Sequence, residues 1–123
     1  MAVPILKQGQ FLIASIQSAL TDTDVLLLRD DVMAQVTRHR SKGIIVDVTS
    51  LDVMDSFVSR SLRSIAQMTR LRGAQTVIVG IQPEVAFAMV QLGMNFEDVQ
   101  TALDLEEGLA LLQTQEGPAD GAS

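Results

Sequence analysis

Gly43-Ile44-Ile45-Val46-Asp47-Val48-Thr49-Ser50-Leu51-Asp52-Val53-Met54-Asp55-Ser56-Phe57-Val58-Ser59-Arg60 reads as a buried strand, a short polar loop and the start of a helix. Over residues 43–48 the apolar side chains run almost unbroken and are mostly β-branched, the composition of a central strand covered on both faces. Asp52 and Asp55 then crowd the start of the helix, where carboxylates accept free backbone N–H groups and meet the positive end of the dipole. On a helical wheel of about 100° per residue over residues 56–72, Phe57, Val58, Leu62, Ile65 and Met68 fall on one side. Ser56, Ser59, Arg60, Arg63, Gln67 and Arg70 fall on the other. The wheel therefore predicts a solvent-facing Ser56 with Arg60 one turn below it. A phosphate added to that hydroxyl would meet N-terminal amides and a guanidinium together.

Upstream, Pro4-Ile5-Leu6-Lys7-Gln8 and Phe11-Leu12-Ile13-Ala14-Ser15-Ile16 are apolar runs separated by Gly9, the pattern of a hairpin. Pro4 has no N–H to give a ladder, so the first run is expected at a sheet edge. Thr21-Asp22-Thr23-Asp24 is rich in cap residues, and Val25, Leu28, Val32 and Val36 follow at helical spacing. That helix is expected to end in the basic turn Arg38-His39-Arg40 and Lys42, with Gly43 as its stop.

Downstream, Gly73 closes the central helix, and Thr76-Val77-Ile78-Val79-Gly80-Ile81 is again unbroken and β-branched, a parallel neighbour for the strand at 44–48. Pro83 suits the first turn of a further helix, whose apolar side is expected to carry Val85, Ala86, Met89, Val90 and Leu92 up to Gly93. A short last strand fits residues 99–102, and Asp104 with Glu107 has capping-box spacing ahead of Leu109, Leu111 and Leu112. Residues 1–115 then make a single domain, and residues 116–123 read as a flexible, frayed tail. The alternation of strands and helices predicts an α/β fold. Its sheet is mostly parallel, of four to five strands with an antiparallel N-terminal edge, and carries about four helices. Sites in such sheets lie at the carboxyl ends of strands, so the loops 49–56 and 80–83 are expected to share one edge.

A chain of 123 residues with 47% apolar content builds one domain with a core. Four Phe and no Trp or Tyr leave little for stacking on bases, and a net charge of −6 with a pI near 4.5 argues against a phosphate-backbone binder. The absence of cysteine removes disulfides, thiolate metal sites and cysteine nucleophiles. His39 is the single histidine, and its basic helix end explains it without a Ser-His-Asp triad. With no charged n-region before an apolar stretch and no run of about 20 apolar residues, a cytoplasmic protein is expected.

Asp47, Asp52 and Asp55 could in principle hold Mg²⁺ or act as an acid/base pair. Asp47 lies inside the strand, however, while Asp52 and Asp55 read as loop and cap residues. Neither a Gly-Lys-Ser/Thr nor a dinucleotide glycine fingerprint is present. No catalytic residue, metal or cofactor is expected. Two readings of Ser56 stand at this point. It caps the helix, or it accepts a phosphate of roughly −1.5 to −2 charges that would expel a partner bringing an acidic or apolar surface to Asp52 and Asp55.

The run Val48-Thr49-Ser50-Leu51-Asp52-Val53-Met54-Asp55-Ser56-Phe57, after a buried strand and at a helix start, resembles the phosphorylation loop of STAS domains, the anti-sigma-factor antagonist family. The likeness extends from the opening hairpin to the last capped helix. In that family the motif opens with Asp-Ser or Asp-Thr, commonly as Asp-Ser-Ser-Gly-Leu, and its first hydroxyl is phosphorylated by a partner kinase. Asp55-Ser56 matches the first two positions, and Phe57-Val58 departs from Ser-Gly. Gly80-Ile81-Gln82-Pro83-Glu84-Val85-Ala86 is similar to the corresponding loop and helix of the stressosome branch of the family. The larger RsbR members of that branch carry a second phosphoacceptor, a threonine, at the position of Ala88, and an N-terminal sensory domain; the lack of both here implies the small scaffold type.

The resemblance implies a non-catalytic scaffold phosphorylated at Ser56; Asp52 and Asp55 at the helix start and, from the wheel, Arg60 are expected to support the site. It also implies assembly with RsbR-like paralogues, self-association, and sequestration of an RsbT-like switch serine kinase that is released on phosphorylation. The alternative within the family is a stand-alone antagonist that binds an anti-sigma kinase while unphosphorylated. Partner contacts are expected at Met54, Phe57, Ser59 and Arg63, and at Pro83, Glu84 and Phe87 on the following helix.

Overall fold

Successive residues of the central strand point into two different cores, and this divides the molecule into layers. In the computed structural model, which describes residues 3–91, 93 and 99–122, the chain begins with β1 (Ile5–Gln8), β2 (Phe11–Ser15), α1 (Asp22–His39) and β3 (Gly43–Asp47). It continues through α2 (Ser56–Leu71), β4 (Gln75–Val79), α3 (Pro83–Gln91), β5 (Gln100–Ala102) and α4 (Leu105–Ala122). The strands form one sheet in the order β1-β2-β3-β4-β5, antiparallel between β1 and β2 and parallel elsewhere. This is the mixed sheet that the alternation of elements predicts.

Leu12 and Ala14 of β2, Ile44 and Val46 of β3 and Ile78 of β4 share one core with α1, α2 and α3, through residues such as Val32, Leu62 and Val85. The intervening Phe11, Ile13, Ile45, Val77 and Val79 face the other way and pack with Leu112 of α4, with Leu105 and Leu109 partly buried beside them. Coverage of both faces is why β3 and β4 read as unbroken apolar runs.

Local signals set most boundaries. Thr21 and Asp24 form a reciprocal capping box at the start of α1, each side chain accepting the other residue's backbone N–H at 3.1 Å. The end of α1 departs from expectation. Arg40, at φ 50° and ψ 46°, takes the left-handed cap and returns its N–H to the Val36 carbonyl. Gly43 does not stop the helix; it opens β3, and a Cβ there would lie 2.7 Å from a methyl of Leu112. Its missing side chain is what lets α4 sit close to the sheet.

Two further expectations are corrected. In α2 the buried set is Val58, Ser59, Leu62, Ile65, Ala66 and Thr69. Ser59 lies about 60° from Leu62, inside the arc, and a wheel sorted by polarity misplaces it because serine is small enough to bury. In α3 only Val85 and Met89 are buried; Ala86 and Val90 face solvent because the short helix meets the core along a single i, i+4 line. Leu92 lies outside the described residues. Separately, α4 spans Leu105–Ala122, so it runs through most of the segment read as a flexible tail. Extending an existing helix fixes one residue per added hydrogen bond, without a new nucleus.

The contact between α2 and β4 contains a buried polar pair. Thr69 Oγ1 donates to the Ala66 carbonyl at 2.9 Å, which leaves the Thr76 hydroxyl to donate to Thr69 Oγ1 at 2.8 Å. Removing one hydroxyl orphans the other in an apolar setting, whereas removing both leaves two similarly shaped side chains in contact. Thr69→Val is therefore expected to cost about 1–3 kcal/mol in urea unfolding, and the double variant with Thr76→Val to recover most of that loss. Additive losses would contradict this pairing.

Candidate functional site

The chain leaves β3 at Asp47, whose Oδ1 accepts both the Thr49 N–H at 2.9 Å and the Thr49 hydroxyl at 2.6 Å. This local bond turns the backbone out of the sheet. The Thr49 carbonyl in turn accepts from Gln82 Nε2 at 2.5 Å, across 33 residues of sequence. Gly80, at φ 80°, completes the clamp, because a Cβ there would overlap the Thr49 side chain. Glycine is demanded twice at this position, by the backbone angle and by the lack of space. The loops at 49–56 and 80–82 thus meet at the carboxyl ends of β3 and β4, the shared edge anticipated from the topology.

Beyond the clamp, Leu51 and Met54 drop into the core at 3% and 4% exposure, while Asp52 and Val53 form an exposed tip. The backbone reaches Asp55 in an extended conformation, and its Oδ1 accepts the Val58 N–H at 2.8 Å. Asp55 is therefore the N-cap of α2. Ser56 occupies the first helical position and is half-buried, not fully solvent-facing as the wheel predicts. Among the described residues its hydroxyl makes no hydrogen bond, and the N–H groups of Ser56 and Phe57 have no acceptor. The capping role open to Ser56 on sequence grounds belongs to its neighbour.

Arg60 is exposed one turn along and lines a groove of about 370 Å³ between α1 and α2, together with Phe57, Ser61 and Arg29. Of the residues expected at partner contacts, Pro83, Glu84 and Phe87 are on the surface, with Phe87 67% exposed. Phe57 is half-buried and packs against the core, and Arg63 is half-buried with its Nε enclosed and unpaired. Met54 and Ser59 are not surface residues. Both lie inside the core, Ser59 completely, with its hydroxyl unpaired.

Sequence reasoning missed the clamp residues Thr49, Gly80 and Gln82, although a glycine directly after a β-branched strand was a usable signal. It also missed the exposed apolar side chains Val53 (67%) at this edge and Val90 (76%) at the far end of α3, for which a lone valine offers no signal. The acidic residues have ordinary duties here: Asp47 holds Thr49, Asp55 caps α2, and Asp52 stands exposed at the tip.

A family model described as STAS domain matches residues 2–108. RsbT co-antagonist protein RsbRA of Bacillus subtilis (strain 168) is 30% identical over 82 residues, which are 67% of this chain. The chain spans 30% of that protein's length. Among solved structures, a serine-to-glutamate variant of RsbS from Moorella thermoacetica matches with a TM-score of 0.80 and 32% identity, covering 92% of this chain and 96% of that one. A chain of the stressosome, described as a signal integration and transduction hub, matches with a TM-score of 0.77 and 30% identity, covering 93% and 99%. Among the described residues no helix is long and apolar enough to cross a membrane.

The division of labour between Asp55 and Ser56 is measurable. Asp55→Ala should lower stability by about 0.5–2 kcal/mol through loss of the cap, whereas Ser56→Ala should stay within about 0.5 kcal/mol of the parent. Equal losses in urea titrations would return the capping role to Ser56.

Proposed function

This chain belongs to the STAS domain family, and on that premise we propose that it is a non-catalytic, RsbS-like scaffold of a cytoplasmic stressosome, switched by phosphorylation of Ser56. The observation that carries this reading is the unengaged Ser56 hydroxyl at the first turn of α2, beside a cap already filled by Asp55. A hydroxyl that holds nothing in place can be modified without dismantling the helix start. The phosphate would find the free N–H groups of Ser56 and Phe57, and the Arg60 guanidinium one turn away.

The modification would add roughly −1.5 to −2 charges to an edge that already presents Asp52, Asp55 and Glu84. A kinase docked on this edge through apolar or acidic groups would be expelled by desolvation and repulsion. Likeness to RsbT co-antagonist proteins and to the stressosome chain supports two kinds of partner, an RsbT-like serine kinase and RsbR-like paralogues in a large assembly. The partner surface comprises Pro83, Glu84 and Phe87, joined by Val53 and Val90, with Phe57 and Arg63 at its margin.

The test is capture of the RsbT-like kinase from the same genome in the presence of ATP. Ser56→Ala should retain the kinase after the parent has released it, and Ser56→Asp should bind it at least about tenfold more weakly, a difference of about 1.4 kcal/mol. Release from the Ser56→Ala variant would refute the switch. Sedimentation with an RsbR-like partner should give a large assembly, while a simple pair with the kinase alone would favour the stand-alone antagonist.

A further inference from the structure

Five of the nine Lys and Arg residues, Arg38, Arg40, Lys42, Arg70 and Arg72, fall in two short stretches at the C-terminal ends of α1 and α2. The fold brings these ends together at the amino edge of the sheet, opposite Ser56, where Arg72 Nη2 reaches Thr37 Oγ1 at 3.4 Å. Between them lies a cavity of about 440 Å³ lined by Thr37, Arg40, Ser41, Lys42 and Arg72. That volume is within the range of small-molecule sites, roughly 300–1,000 Å³.

Basic residues at helix ends have an ordinary explanation, since each C-terminus carries about half a negative charge. Two ends supply about one negative charge, so the three cations that line the cavity, Arg40, Lys42 and Arg72, leave a surplus of about two. Nothing nearby removes it: among the described residues no carboxylate lines the cavity, and Arg40, Lys42 and Arg72 form no ion pair. Asp52, Asp55, Glu84 and Asp104 stand at the far edge, a five-residue strand or about 17 Å away. The Debye length at physiological salt is about 8 Å, so their charge is screened at the cavity.

A second observation concerns Arg40. It is the non-glycine residue at positive φ among the described residues, in a cap position where glycine fits without strain. A guanidinium on the cavity wall is kept there at a cost to the fold, the kind of outlier that points toward function.

We propose that this cavity is a binding site for a small oxyanion carrying two or more charges, of diphosphate size, held by Arg40, Lys42 and Arg72 with the hydroxyls of Thr37 and Ser41. The site is separate from the Ser56 edge and does not depend on the switch.

Isothermal titration of the full chain with inorganic pyrophosphate in 150 mM NaCl, roughly the physiological ionic strength, tests it. The parent should bind saturably at one site, and Arg72→Ala should weaken binding about tenfold or more. Arg40→Gly should weaken it similarly while raising the urea midpoint, because relief of the left-handed strain and loss of the anion contact pull in opposite directions. Arg29→Ala, which removes the same charge elsewhere, should change affinity less than about twofold if contact rather than net charge governs binding. The proposal is overturned by absence of saturable heat, by parental affinity in Arg40→Gly, by an equal loss in Arg29→Ala, or by binding of oligoglutamate in place of pyrophosphate.

Discussion

The exit of the chain from β3 is held at one place, where Asp47 binds the backbone and hydroxyl of Thr49 and Gln82 binds the Thr49 carbonyl over the bare face of Gly80. Each bond is worth only about 0.5–1.5 kcal/mol net. Their importance is positional. With Thr49 fixed against the start of α3, Leu51 and Met54 can enter the core and Asp55 arrives extended at the cap of α2. Ser56 then lands at the first helical position by register alone.

The helix that follows has two jobs kept on separate sides. Its buried arc, from Val58 to Thr69, seals one face of the sheet and is tied to β4 through a hydroxyl pair. Its half-buried beginning carries a serine that contributes no bond to the fold. A group placed in this way can gain charge without unravelling the element that displays it, while the charge alters what the surface accepts. The exposed side chains of Val53 and Phe87 near the same edge are apolar surface left uncovered among the described residues.

What was legible in the sequence was local. The capping box of Thr21 and Asp24, the β-branched runs of β3 and β4, and the cap by Asp55 ahead of α2 depend on neighbours a few residues away, and the structure holds them as read, whereas Asp52, read as a second acceptor there, stands exposed at the loop tip. Errors arose where a distant element decided. Gly43 resembled a helix stop, but Leu112, nearly seventy residues on, is what requires a glycine there. Polarity and loop position do not report exposure at Ser59 and Met54: the packing of α2 buries the first, and the loop ahead of α2 drops the second into the same core. Val90 shares the apolar character of Val85 yet is exposed, because α3 meets the core along one line only. At the candidate site, Asp55-Ser56 was readable as a motif, but which residue caps and which stays unengaged required coordinates.

The most direct measurement is intact-mass and peptide mass spectrometry after incubation with ATP, Mg²⁺ and the RsbT-like kinase of the same genome. The account predicts a single added phosphate, mapped to Ser56. No phosphate, or one confined to the buried Ser59 or to Ser61, would contradict it, since a modified Ser59 would require α2 to leave the core.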